Sequence, residues 1–143
     1  MKTKPYLSLA DVKRIADAAE VEAKANGWAV TIAIVDDGGH LLLLHRLDGA
    51  APVSSHIGPA KARTAAIGRR ESRLYEEMIN QGRASFLSAP LEGMLEGGVP
   101  VVVDGHCVGA VGVSGVKSSE DAQVARAGIA ALGDVERGPS AKP

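Results

Sequence analysis

Apolar positions along this chain follow two rhythms, one of helices and one of strands. Leu9, Val12, Ile15, Ala16, Ala19 and Ala23 recur at helical spacing, and Ser8 with Asp11 reads as a helix cap followed by an acidic first turn. A first helix to about Asn26 is predicted, with Gly27 placed to stop it. Ala29 to Val35 is apolar except for Thr31, as expected of a strand buried on both faces. Asp36-Asp37-Gly38-Gly39 then turns the chain, and His40 to His45 returns as the second strand. A second hairpin is written by the β-branched run Val99 to Val103, the turn Asp104-Gly105 and the glycine-studded stretch that ends at Gly115. Gly109 and Gly112 are three apart, so on a strand they face opposite sides and each face of the sheet loses a side chain.

Between the hairpins the pattern is helical and interrupted. Arg46 to Pro52 is a loop by composition, and Ser54 or Ser55 can begin a helix that runs to about Gly68, with Pro59 expected near its first turn. A shorter helix from about Ser72 to Gln81 follows, stopped by Gly82. Pro90 and Gly93 break the next stretch, where a short strand is placed within Gly93 to Leu95. Ser118 with Asp121 opens a final helix to about Leu132, Gly133 ends it, and residues 134–143 read as a loose tail after a single domain spanning 1–133. The order α-β-β-α-α-β-β-β-α makes hairpins the close strand pairings. It predicts an α+β protein, an antiparallel sheet of five strands with helices on its faces.

Composition changes this picture in two ways. One Trp, two Tyr and one Phe among 143 residues leave a core of Ala, Val, Leu, Ile and Gly, which packs closely but buries little area per residue. Further burial by self-association, as a homo-oligomer, is therefore expected. Sixteen basic against 17 acidic residues and the shortage of aromatic rings argue against nucleic acid as a partner. No stretch is long and apolar enough to cross a bilayer, the first residues lack the apolar run of a signal peptide, and Cys107 is alone. A cytoplasmic protein without a membrane partner is expected.

Nucleotide loops fail on spacing. Gly109-x-x-Gly112-x-x-Gly115 is not a dinucleotide fingerprint, and Val116 stands where a phosphate loop would need glycine before Lys117-Ser118. No metal site is expected either, because His40 and His45 are five apart on one strand and His106 and Cys107 are adjacent, so each pair diverges. Anion chemistry is better represented. Arg46 offers a bidentate fork, Asp48 sits beside it, and Lys61 and Thr64 share one face of the following helix. Backbone amides of Gly112 to Gly115, with Ser114, could add donors for the same small anionic ligand. The alternative is a structural Arg46 to Asp48 contact with Lys61 in solvent.

Several motifs occur in order: Ile34-Val-Asp-Asp-Gly-Gly-His-Leu, Arg46-Leu-Asp-Gly-Ala, Lys61-Ala-Arg-Thr-Ala, Gly97-Gly-Val-Pro-Val and Val108-Gly-Ala-Val-Gly-Val-Ser-Gly. Together they resemble the GlcG/HbpS-like family, which includes the C-terminal domain of PduO-type proteins, over about residues 8 to 132. The resemblance implies a profilin-like five-stranded antiparallel sheet flanked by helices, in subunits that assemble into higher oligomers. It also implies haem as a possible cofactor, with Arg46 or Lys61 meeting its propionates and with Thr64 and the histidines as candidate ligands of the iron. A second expectation is a small enzyme acting on an anionic carboxylate catabolite. There Arg46 and Lys61 would anchor the carboxylate, Gly112, Ser114 and Gly115 would form a wall, and Asp48, His45 or His56 would move a proton.

Overall fold

Ser8 caps the first helix as its sequence suggests. In the computed structural model, which describes residues 1–133, the Ser8 hydroxyl accepts the Asp11 N–H at 3.1 Å and the Asp11 carboxylate accepts the Ser8 N–H at 2.9 Å. These two bonds satisfy donors that a helix start leaves free. The helix, α1, spans Leu9–Ala25 and ends at Asn26 and the left-handed Gly27. Strand β1 (Thr31–Asp36) and strand β2 (Leu41–Arg46) form the first hairpin, with a β-bulge at Leu42 where the register between Ile34 and Val35 shifts. Helix α2 (Ser54–Gly68) follows, and Pro59 lies in its second turn rather than its first because the helix begins at Ser54. Helix α3 (Arg73–Asn80) and a short 3-10 turn (Ala84–Ser88) lead to the second hairpin, strands β3 (Gly98–Val103) and β4 (His106–Ser114), and then to helix α4 (Ser118–Ala130). The tail expected for 134–143 lies outside the described residues.

The four strands form one antiparallel sheet in the order β2-β1-β4-β3. Helices α1 and α4 cover one face, over a core that includes Ile15, Ile32, Ile34, Val101, Val111, Val113 and Val124. Among the described residues helix α2 covers the other, where Ala62, Ala65 and Ala66 meet Ala33, Val35 and Ala110. Alanine against alanine lets α2 lie close to the sheet, and Gly112 marks a close approach: a Cβ there would sit 2.8 Å from the Ala62 Cβ and overlap the Gly58 carbonyl. Gly109, on the opposite face, makes room for Leu7. The glycines of β4 thus serve packing on both faces.

The fifth strand is absent among the described residues. Residues 89–97 instead form a strap over α2. Thr64 donates its hydroxyl to the Glu92 carbonyl, Ser72 donates to the Leu95 carbonyl, and a Cβ on Gly93 would stand only 2.7 Å from the backbone of Ala60 and Lys61. A segment fastened to a helix by side-chain hydroxyls does not pair with the start of β3, where the outward groups of Gly98 are already bonded to Ser72. The Ser72 N–H donates to the Gly98 carbonyl at 3.0 Å and the Ser72 hydroxyl accepts the Gly98 N–H at 2.8 Å. The next outward position, Pro100, has no N–H to offer.

The last helix also differs from expectation. It ends at Ala130, two residues early, and its N-cap is Lys117 rather than Ser118. Asp121 does not decorate the first turn from outside; it accepts the Val116 N–H at 3.1 Å and turns inward.

Candidate functional site

An open groove of about 680 Å³ runs between the C-terminal end of α1 and the outer edge of β2. Its walls carry Glu20, Lys24 and Trp28 on one side and His45, Arg46 and Asp48 on the other. Each position follows from the local fold. Lys24 lies one turn after Glu20 on α1, and the two side chains pair at 3.5 Å. The turn at Gly27 brings Trp28 back against the same helix, where its backbone N–H donates to the Ala23 carbonyl at 2.9 Å. His45 is paired with Ile32 across the hairpin, so it shares the face covered by α1 and is half-buried there. Arg46 points its guanidinium at the loop that follows, and Nε and Nη2 donate to the Ala50 carbonyl at 3.2 and 2.9 Å. That contact holds the planar fork against the loop. Asp48 is exposed at the end of the groove.

Lys61 does not line this groove. Its ammonium is buried and lies 3.0 Å from Asp121 on α4 and 2.9 Å from the Val113 carbonyl, with both side chains of the ion pair under 5 % exposed (4 % and 3 %). Neither the anion anchor nor the solvated lysine expected from the sequence describes it. Burial pushes the Asp121 carboxyl above the ordinary carboxylate range, and the adjacent ammonium and the Val116 N–H pull it part of the way back. The pair ties α2 to α4 around the end of the sheet.

The other anticipated residues separate in the same way. Thr64 is buried and committed to the strap through Glu92. Gly112 faces α2, and Ser114 is buried in register with Thr31, whose hydroxyl lies 2.7 Å from that of Ser54. Gly115 abuts the Ala29 carbonyl and Val30. These residues do not share a cavity with Arg46, so the wall expected from Gly112, Ser114 and Gly115 is packing instead. His56 stands exposed on the first turns of α2, away from the groove lining. Of the residues chosen from the sequence, the structure brings together His45, Arg46 and Asp48 and leaves the rest elsewhere.

Trp28, Lys24 and Glu20 were not anticipated. The spacing of Glu20 and Lys24 marks them as neighbours on α1, and Trp28 is the chain's one indole. What the sequence lacked was the pairing of β2 beside α1, which places all three next to His45.

A small α+β domain with two hairpins in one sheet, helices on both faces and a polar groove at one sheet edge has close relatives. The sequence model of the HbpS-like family, described as haem degrading protein HbpS-like, matches residues 7–130, and the chain belongs to this family. Protein GlcG of Escherichia coli K12 is 58% identical over 114 residues, covering 80% of this chain and 85% of that protein. Among solved structures, a haem complex of PduOC superposes with a TM-score of 0.84 at 27% identity, covering 94% of this chain and 99% of that one. A double mutant of HbpS from Streptomyces reticuli superposes with a TM-score of 0.83 at 32% identity over 93% of this chain and 91% of that one.

Proposed function

We propose that this chain is a self-associating ligand-binding protein whose groove between α1 and β2 takes haem or a similar anionic ring ligand. The observation that carries the reading is the set of groups in that groove: an indole to lie against a ring, a half-buried imidazole, and the cations of Lys24 and Arg46 beside them. The residues fit such a ligand. A volume of about 680 Å³ falls within the range of small-molecule sites, neutral imidazole is a common iron ligand, and Lys24 and Arg46 suit carboxylates at the periphery of a ring. The PduOC haem complex among the structural neighbours supports the same ligand class. When bound, haem would supply a redox-active iron; the chain's part is to hold the ring and pair its carboxylates.

Titration of the purified protein with hemin tests this. A saturable Soret shift is expected, weakened at least tenfold by Arg46→Ala and altered in spectral form by His45→Ala. No saturable shift, or one unchanged by either substitution, overturns it.

The same groove favours a second reading, because His45, Arg46 and Asp48 line it together. Arg46 would hold the carboxylate of a small catabolite while His45 or Asp48 moves a proton. Turnover of unsaturated or hydroxy dicarboxylates that is lost in Asp48→Ala or His45→Ala would establish it. No turnover and no rise in melting temperature with any such acid would remove it.

A further inference from the structure

A second cavity shares no lining residue with the groove, and its lining favours the opposite charge. Between α2 and β3, helix α3, the 3-10 turn and the strap fold onto one another and form a hollow of about 330 Å³. Tyr75 anchors this unit. Its ring is buried, stacks on Phe86 at 5.4 Å between centroids, and fills the space beside Gly68, where a Cβ would overlap its hydroxyl. Glu76, Ile79 and Asn80 stand three and four residues apart on α3, so they share a face and form one wall. Leu87 of the 3-10 turn and Leu91, Met94 and Leu95 of the strap form the other. Bonds within the chain hold both walls: the Glu76 carboxylate accepts the Glu96 N–H at 3.0 Å, Ser72 donates to the Leu95 carbonyl, and Gly93 lies against the backbone of α2. Leu87 and Leu95 are nevertheless 65% and 45% exposed. A preformed hollow with apolar walls and few polar groups is the usual form of a small-molecule site, and this one suits a ligand at the small end of that class.

Charge selects the ligand. Residues 71–97 carry Glu71, Glu76, Glu77, Glu92 and Glu96 against Arg73 and Arg83. Arg73 pairs with Glu77, Glu71 also meets Arg126, and the Arg83 guanidinium lies over the Phe86 ring. Among the described residues no basic side chain lines the hollow, and Glu76 is the charged group in its wall. A carboxylate brought there would be repelled, whereas an ammonium would be attracted. We propose that this hollow binds a small primary amine with a short unbranched hydrocarbon body, its ammonium at Glu76 and Asn80 and its carbon chain against Leu87, Leu91 and Leu95. Asn80 can offer its carboxamide oxygen to the same ammonium. The hollow and the groove then sort ligands by charge, cation in one and anion in the other.

Titration of the full chain with hexylamine, an ammonium at neutral pH, tests the site through the backbone amide resonances. Saturable shifts are expected at Glu76, Asn80, Gly93 and Leu95. Butylamine, shorter by two methylenes, should bind about tenfold more weakly, and hexanoate should leave these resonances unmoved. Glu76→Gln keeps an oxygen to accept the Glu96 N–H while removing the charge, and should weaken hexylamine roughly threefold or more. Leu87→Ala, a change at an exposed position, should weaken it by a similar factor with the rest of the amide spectrum unchanged. No saturable shift, or shifts confined to Trp28, His45 and Arg46 in the groove, overturns the site. Hexanoate binding as tightly as hexylamine overturns the charge preference, and butylamine doing so overturns the apolar body. A folded Glu76→Gln variant that binds hexylamine as the wild type does overturns the place given to the ammonium.

Discussion

The outer edges of β2 and β3 belong to the same sheet and face opposite requirements. At β3, Ser72 bonds both the outward N–H and the outward C=O of Gly98, and Pro100 has no donor. Around the nearby end of the sheet the buried Lys61–Asp121 pair ties α2 to α4, and Glu71, in the connection between α2 and α3, contacts Arg126 of α4. At β2, Leu44 and Arg46 keep outward backbone groups and two leucines stay exposed. Two edges of one sheet can therefore be built for different ends: polar groups satisfied within the chain make a wall, and groups left open make a surface for ligand or partner.

The comparison predicts where substitutions should cost most. Lys61→Ala strands a buried carboxylate at the closed edge, and urea unfolding should show a loss of about 3–5 kcal/mol. A rise of the same variant to wild-type stability would mean that the pair does not hold that edge together. Gly98→Ala should be next, at about 1–3 kcal/mol, because its new methyl overlaps the Lys61 carbonyl and sits 2.8 Å from the Ser72 hydroxyl. Ser72→Ala removes the acceptor of the Gly98 N–H and should lose on the order of 1–2 kcal/mol in the same assay. At the open edge, Leu42→Lys should shift the stability of the monomer by no more than about 0.5 kcal/mol, measured at a concentration where association is negligible. A large loss there would show that β2 is held by packing and not left open.

Acid should distinguish the edges by sign. Near the open edge, Lys4 holds the Asp37 carboxyl below the ordinary range through a side-chain hydrogen bond. Burial raises Asp36, but the backbone N–H groups of His40 and Gly38 overcome it, so its carboxyl is also lowered. A lowered folded pKa contributes stability that is present above the unfolded value and lost as pH falls through the folded one. At the closed edge Asp121 is raised by burial, so between its unfolded and folded values the folded state holds the extra proton and its contribution grows as pH falls. Melting temperatures from neutral pH into the acid range should fall less steeply in Asp36→Asn with Asp37→Asn than in the wild type. An unchanged acid slope would remove those two carboxylates from the account. This effect is the smallest of the set, since both groups are partly exposed.

Much of the frame was legible. The Ser8 cap, the stop at Gly27, both hairpin turns and the pairing of glycine with a close helix all follow from local spacing and turn chemistry. The strand placed at Gly93 to Leu95 misled because Gly93 reads as part of a weak apolar pattern, whereas its role is to let the strap touch the backbone of α2. The site was only half legible for a related reason. Arg46, Asp48 and His45 are close in sequence and stay together, but Lys61 is a charged residue whose type says nothing of its burial, and it was drawn to Asp121 sixty residues away.

Local order determined what each segment becomes: period, caps, turns and the small residues that let α2 lie on the sheet are properties of neighbours in the chain. Only the tertiary structure decided which edge is closed, because Ser72, Gly98, Lys61 and Asp121 meet across long stretches of sequence. It also decided where the groove opens, since Trp28 and His45 share it only once β2 lies beside α1. Contacts between distant residues depend on the packing of whole elements, and no local pattern encodes that packing alone.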